Sequence, residues 1–412
     1  MISSFRLWLT AGAFAALAAC GGNNNKGSSD GGNHGVDAAP ADTGFPLAAV
    51  SGGIAYTASI MIGSNGPFAL DVDTGSTTLG VAGSTCVDTA SSGNCGVSPE
   101  YAPGTTAMDQ GTTTTAQYGD NSMWSGENYS DSVEVMGDQA VTMRFAEITS
   151  ETGFFRPGFT DEGIIGFGPT DLASPGTDSF IAKRAANNFA FQMCPDHGTL
   201  WIDQIDTTHA ATAIQYTPFL NSPFYELTVN QTQVGSDVGL TGAAVLDTGT
   251  SLIVVGNSTE LQNIITNVQG AAGFAGVFGT QTLYSSQQGG LCMAPMNNAT
   301  RAQVDAALPP WEVTFGSQNG TNLTIDIPAT QSYLLYQSGD YCFAVEETNL
   351  ADEGVSMILG DAFLRNFLVV FDLQNKQAGL ATQSGCALPD VAEVSAPVPM
   401  AHPHWFLHGH PM

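Results

Sequence analysis

Short apolar or alternating runs, each closed by Gly, Asn, Pro or Ser, recur along most of the chain and predict β-strands joined by tight turns. Ile54–Ile62 alternates before Gly63, and Phe68–Val72 runs into a second glycine-containing turn. Helical spacing is scarce. Ser179–Asn188, carrying Ile181, Ala182, Ala185 and Ala186, is one candidate and Glu260–Val268 another, with Phe189–Met193 returning to strand. Tyr216–Phe219 and Phe224–Val229 open a second half, which places a boundary near Thr212. Gly270–Gly290, rich in Gly, Ala and Gln, is expected to hold a long loop. The expected fold class is therefore all-β with a few short helices.

One strand-and-turn pattern occurs twice. Ala69-Leu70-Asp71-Val72-Asp73-Thr74-Gly75-Ser76 is matched by Ala243-Ala244-Val245-Leu246-Asp247-Thr248-Gly249-Thr250, 174 residues on (247 − 73). In each copy a mostly apolar run ends in Asp-Thr-Gly, so a carboxylate sits at the mouth of a turn that glycine permits, followed by a hydroxyl. A lone Asp in such a turn reads as a turn former bonded to its own backbone. The repetition, one copy in each half, points instead to paired acid and base.

From about Ile54 to Cys386 the chain resembles the pepsin-like aspartic proteases. Gln117–Ser122 looks like the family's flap, with Tyr118, Gly119 and Asp120 at its substrate-facing tip. Gly163–Gly168 and Met357–Arg365 resemble the segments that thread behind the two catalytic loops; Val370–Asp372 and Gly379–Ala381 resemble the strands that follow. Gly166 follows Asp73 by 93 residues and Gly360 follows Asp247 by 113, so the second half is longer by about twenty residues. The resemblance implies two pseudo-twofold-related β-barrel lobes with a cleft between them, at 49–212 and 213–386. It implies endopeptidase action on polypeptides, between bulky hydrophobic residues at acid pH, with Asp73 and Asp247 sharing a proton and activating water. Ser76 and Thr250 are expected to bond the outer carboxylate oxygens, and Thr74 and Thr248 to bridge the lobes beside Gly75 and Gly249. Neither metal nor other cofactor is called for, and a monomer is expected. The competing reading is a pepsin-like fold kept as an inactive binding protein or inhibitor.

Three departures from the family pattern stand out. Gly80 occupies the place of a Trp that hydrogen-bonds the flap tyrosine in many members, and Trp124 is a candidate to cover the gap. Asn121 replaces a flap glycine. Asp71 replaces an apolar residue on the same strand face as Asp73; it either bonds nearby backbone amides or raises the pKa of the dyad.

Charge and cysteines add a compartment. Nine Lys plus Arg stand against 38 Asp plus Glu, a net charge of −29, which argues against nucleic acid and fits either solubility or life in acid. Residues 1–19 read as a signal peptide: Arg6, then the apolar run Leu7–Ala19, too short to span a bilayer. Leu17-Ala18-Ala19-Cys20 looks like a bacterial lipobox, which implies a lipid on Cys20 and delivery to the outer membrane, at its periplasmic or cell-surface face. An ordinary signal with a cysteine nearby is the plainer alternative. Residues 20–48 read as a flexible tether whose single cation, Lys26, gives it no charge to cover the dyad as a prosegment, so activity is expected without propeptide removal. Six cysteines remain, an even number suited to disulfides. Cys86 with Cys95 closes a short loop, and Cys292 with Cys342 and Cys194 with Cys386 match bridges of some family members, although six cysteines allow fifteen pairings. The tail, 387–412, with His402, His404, His408 and His410, is expected to be disordered rather than a metal site.

Overall fold

The computed structural model describes residues 44–386 other than 51, 156–159 and 317–321. Cys20, the signal segment, Lys26 and the histidine-rich tail lie outside the described residues.

The first half is built from β1 (Phe45–Val50), β2 (Ala55–Ile62), β3 (Asn65–Asp73), β4 (Leu79–Asp88), β5 (Met108–Gln117), β6 (Met123–Val135), β7 (Val141–Thr152) and β8 (Gly163–Gly166). After α1 (Phe180–Arg184) come β9 (Asn188–Met193), β10 (Gly198–Ile202) and β11 (Gln215–Pro218). The second half carries β12 (Glu226–Val234), β13 (Gly242–Leu246), β14 (Ile253–Val255), α2 (Ser258–Gln269), α3 (Phe274–Phe278), β15 (Trp311–Phe315), β16 (Met357–Leu359), α4 (Asp361–Leu364), β17 (Phe367–Asp372) and β18 (Gln377–Thr382).

The repeat seen in the sequence is a repeat in topology. β3 runs parallel to β8, with Asp73 beside Gly166, and β8 runs antiparallel to β4. β13 likewise runs parallel to β16, and β16 antiparallel to β14. Each Asp-Thr-Gly turn is thus the crossing between two strands that flank a third. Only glycine fits where the third strand meets the turn: a Cβ on Gly166 would fall on the backbone of Thr77, and one on Gly360 on the carbonyls of Thr250 and Leu252.

A single sheet joins the halves, with the order β11-β18-β17-β9-β10-β1-β2-β3-β8-β4-β7-β6-β5. β17, from the second half, therefore pairs with β9 of the first, and β18 pairs with β17 and β11. Phe189 and Phe371, opposite each other in this seam, stack with centroids 4.6 Å apart. The tether also ends earlier than expected: Phe45–Ala48 pair with β10 and β2, and Leu47 is buried. Both expected helices form. α1 is shorter, starting at the cap Ser179 and stopping at Ala185 in left-handed conformation, while α2 is extended by its Asn257 cap. Gly270–Gly290 is not a plain loop: α3 turns Phe274, Val277 and Phe278 into the core. The three disulfides are Cys86–Cys95, Cys194–Cys386 and Cys292–Cys342.

Candidate active site

The two Asp-Thr-Gly turns meet. Thr74 N–H donates to Thr248 Oγ1 at 3.1 Å and Thr248 N–H to Thr74 Oγ1 at 3.0 Å. Each hydroxyl passes its own proton across: Thr74 Oγ1 to the Leu246 carbonyl at 2.9 Å, Thr248 Oγ1 to that of Val72 at 2.5 Å. This reciprocal set of four buried hydrogen bonds fixes one turn against the other. The glycines make the approach possible, since a Cβ on Gly75 would lie 2.6 Å from Cγ of Asp247, and one on Gly249 would lie 2.5 Å from Cγ of Asp73. Asp73 and Asp247, 1 % and 2 % exposed, consequently face each other across the junction.

Each carboxyl is held at both oxygens. Gly75 N–H donates to Asp73 Oδ1 at 2.7 Å and the Ser76 hydroxyl to Oδ2; Gly249 N–H donates to Asp247 Oδ1 at 2.9 Å and the Thr250 hydroxyl to Oδ2 at 2.6 Å. Burial pushes both pKa values up. For Asp73 the nearby charge of Asp247 adds to burial, and for Asp247 the hydrogen bonds from Thr250, Asp73 and the Gly249 amide work against it. The charge of one carboxyl thus raises the cost of ionising the other.

Tyr118 starts the turn between β5 and β6. Its N–H donates to the Ser122 carbonyl at 2.9 Å, and Asp120 Oδ1 accepts from the Ser122 amide and hydroxyl, which leaves Asp120 bracing the turn, with Gly119 between it and Tyr118. Asn121 takes φ +67°, a left-handed conformation that asparagine tolerates better than other side chains, so the missing glycine is replaced without loss of the turn. Trp124 Nε1 donates to Tyr118 Oη at 3.0 Å, and a Cβ on Gly80 would sit 2.9 Å from the Trp124 ring. The indole therefore fills the volume that Gly80 vacates and supplies the tyrosine's hydrogen bond from the neighbouring strand. Phe154 stacks on Tyr118 at 5.4 Å and completes the cluster.

Three buried residues near the dyad escaped the reading of the sequence. Asp361, at the start of α4, has both oxygens buried without a hydrogen-bond partner, and burial followed by the charges of Asp71 and Asp247 raises its pKa. Arg365 is buried one turn further on, and Tyr56 donates to the Cys194 carbonyl at 2.9 Å. Asp361 and Arg365 lay inside a recognised motif, but nothing local marks them as buried beside the dyad. Asp71 also lies here, buried, with Oδ1 unpartnered; burial, then Asp161 and Asp247, raises its pKa, against the hydrogen bonds from the Tyr56 and Val72 backbone. Both expectations for Asp71 thus hold in part. A small cavity of about 20 Å³ opens beside Gly75 and Asp247, walled by Phe224, Val245, Leu350, Val355 and Ile358 and by one acid, Glu353. Among the described residues no group of three or more His, Cys, Asp or Glu is placed to hold a metal ion.

A paired-carboxyl site at the junction of two like strand-and-turn units defines an aspartic peptidase class of architecture. The sequence comparisons agree. The family model described as eukaryotic aspartyl protease matches residues 55–383. An aspartic protease of Phaffia rhodozyma is 28% identical over 338 residues, 79% of this chain and 76% of the relative. Penicillopepsin-1 of Talaromyces stipitatus is 29% identical over 341 residues, 80% of this chain and 78% of its own. Cathepsin E of Cavia porcellus is 28% identical over 352 residues, 79% and 80%. The chain belongs to the pepsin-like family of aspartic-type endopeptidases.

Proposed function

We propose that Asp73 and Asp247 together hydrolyse peptide bonds in polypeptides at acid pH. The observation that carries this reading is the facing pair of buried carboxyls held by the Thr74–Thr248 interlock. One carboxylate takes a proton from a bound water, whose oxygen adds to the scissile carbonyl carbon, while the partner gives its proton to the carbonyl oxygen. The resulting diol collapses: one of its hydroxyls gives its proton to the ionised carboxylate, the protonated carboxyl gives its proton to the amine nitrogen, the carbon–nitrogen bond breaks, and the pair is again singly protonated. Ser76, Thr250 and the Gly75 and Gly249 amides hold the carboxyl planes through both steps. The apolar side chains beside Asp247, namely Phe224, Val245, Leu350 and Ile358, suit contact with a hydrophobic side chain next to the scissile bond. Hydrolysis of denatured protein at about pH 3 to 5, stopped by a statine-type inhibitor, tests the reading. An absence of turnover from about pH 2 to 7 would leave a binding protein on this fold.

Tyr118 is assigned to the flap that closes over substrate and excludes water. If Trp124 orients it, Trp124→Phe, which keeps a ring but removes the N–H, is expected to lower kcat/KM by about threefold to tenfold with the fold retained. Unchanged kinetics in a correctly folded variant would remove Trp124 from that role.

We also propose export with lipid attachment at Cys20, supported by Arg6, the apolar run before Cys20 and three disulfides in the folded body. The bacterial lipoprotein assignment and the outer-membrane location belong to this proposal. Among the described residues no helix is long and apolar enough to cross a membrane.

A further inference from the structure

We propose that Tyr225 is a positioning residue for the hydrolysis: its phenol, reaching from the second half into the first, sets the Asp73 carboxyl against that of Asp247. The proposal rests on the endopeptidase reading above.

Tyr225 immediately precedes β12, which lies against the strand that ends at the second turn, with Glu226 in register with Val245 and Leu227 with Ala244. It is tied to both Asp-Thr-Gly turns. Its carbonyl accepts from the Leu246 amide at 3.0 Å, one residue before Asp247. Its hydroxyl donates to the Phe167 carbonyl at 3.0 Å, and the Phe167 amide donates in turn to the carbonyl of Asp73 at 2.6 Å. A line of hydrogen bonds thus runs from the amide next to one catalytic residue, through Tyr225 and Phe167, to the backbone of the other. Its one side-chain link is the phenol.

The ring is held in place. Tyr225 is buried, with Phe219, Phe371 and Phe189 at centroid distances of 5.1, 5.0 and 6.0 Å. Burial pushes the pKa of the phenol up, so it stays a donor throughout the acid and neutral range.

The four bonds of Thr74 and Thr248 are gathered at one place. Such a cluster resists separation of the two turns more than rotation about it, and a tie made elsewhere is what fixes the angle. Tyr225 makes that tie. The first half does not repeat it. Asp71 corresponds to Val245 in the repeat, and Thr57 pairs with Asp71 as Glu226 does with Val245, so Tyr56 stands where Tyr225 stands in the second half. The Tyr56 phenol donates to the Cys194 carbonyl instead, and the Asp361 amide, in the place of Phe167, donates to the carbonyl of Thr250 rather than to that of Asp247. The angle between the carboxyls therefore depends on one hydroxyl, and a catalytic group displaced by a fraction of an ångström loses rate steeply.

The test uses the full chain, with active sites counted by a tight-binding statine-type inhibitor and kcat expressed per site. Tyr225→Phe keeps the ring and both backbone bonds and removes only the hydroxyl. Tyr333→Phe is the comparison, because Tyr333 is also buried and its phenol also donates to a carbonyl, that of Pro309 at 2.5 Å, outside the two catalytic turns. Both variants are expected to lose a similar amount of thermal midpoint. Tyr225→Phe is expected to lower kcat by about tenfold or more while KM stays within about threefold. The acid and alkaline limbs of its kcat/KM profile should move together by about half a pH unit or more, since carboxyls that drift apart feel each other's charge less. Tyr333→Phe is expected to keep the native kcat and profile. An unchanged kcat in Tyr225→Phe, or an equal fall in both variants, overturns the assignment. So does a Tyr225→Phe protein that is unfolded and binds no inhibitor, since the hydroxyl would then serve the fold rather than the dyad. In each case a native enzyme that cleaves peptides leaves the peptidase reading intact, whereas a native chain that neither cleaves nor binds the inhibitor overturns both.

Discussion

Asp73→Asn, and separately Asp247→Asn, is expected to lower kcat by about four orders of magnitude or more while leaving the protein folded. The size follows from what the pair must do. Within one turnover a proton leaves water and another reaches the carbonyl oxygen, and a single carboxyl cannot be ionised and protonated at once. An amide in place of either acid neither accepts nor releases a proton, yet it fits the same space: its oxygen accepts from the Gly75 or Gly249 N–H, and its NH2 donates to the Ser76 or Thr250 hydroxyl, whose own proton turns away. Loss of activity would then be a loss of chemistry. The same substitution removes one of two like charges buried against each other, so the thermal midpoint near neutral pH should stay level or rise. Single-turnover kinetics together with melting curves at about pH 7 separate the two effects. A loss of only about tenfold in a folded variant would mean that the dyad is not the catalyst.

The parts of this site that could be read from the chain are those whose chemistry is local. Asp-Thr-Gly needs its carboxylate, hydroxyl and glycine within four positions, and the pattern appears twice, so both turns and their hydroxyls could be named in advance. The strands before them were legible from apolar runs, and the flap turn from its resemblance. What escaped depends on residues that meet only in space. The exchange of volume between Gly80 and Trp124, 44 positions apart, could be named only because Gly80 departs from the family pattern; its contact, a Cβ on Gly80 falling on the indole, is spatial. Asp361 and Arg365 look like helix-start residues in any chain; their burial comes from strands contributed by both halves. The seam of Phe189 on Phe371 joins strands far apart in the chain, and no local pattern in either strand marks the other as its partner. In Gly270–Gly290 the abundance of Gly and Gln hid a three-residue apolar face, Phe274, Val277 and Phe278, too short to register as a helical period.

The thermal midpoint of the folded chain is expected to be highest in mild acid and to fall by about 10 °C or more between about pH 4 and pH 8. Asp71, Asp73, Asp247 and Asp361 are buried, and burial comes first among the causes that raise each of their pKa values. Glu147, buried and beside Glu127, is pushed up to about 7, burial being the larger cause. In the unfolded chain these groups titrate near about 4. Above that value the native state holds more protons than the unfolded one, so stability falls with rising pH, and what these groups contribute is fully present below about 4 and lost as pH passes through the raised values. Glu147 places part of that loss near neutrality. The opposite limb is smaller. Partial burial works against Asp178, but Arg144 and Lys183 bring it down to about 2, so its contribution is present above about 4 and declines only as pH falls toward 2. The maximum therefore lies between the two limbs, and self-repulsion among 38 acidic side chains against nine basic ones deepens the alkaline fall. Asp361→Asn removes one raised carboxyl whose oxygens have no partner, and it should flatten the slope above about pH 5 while the acid limb stays where Asp178 puts it. Melting curves at fixed ionic strength decide the matter: a midpoint that is level or rises from acid to neutral pH would mean that these carboxyls are not held protonated by the fold.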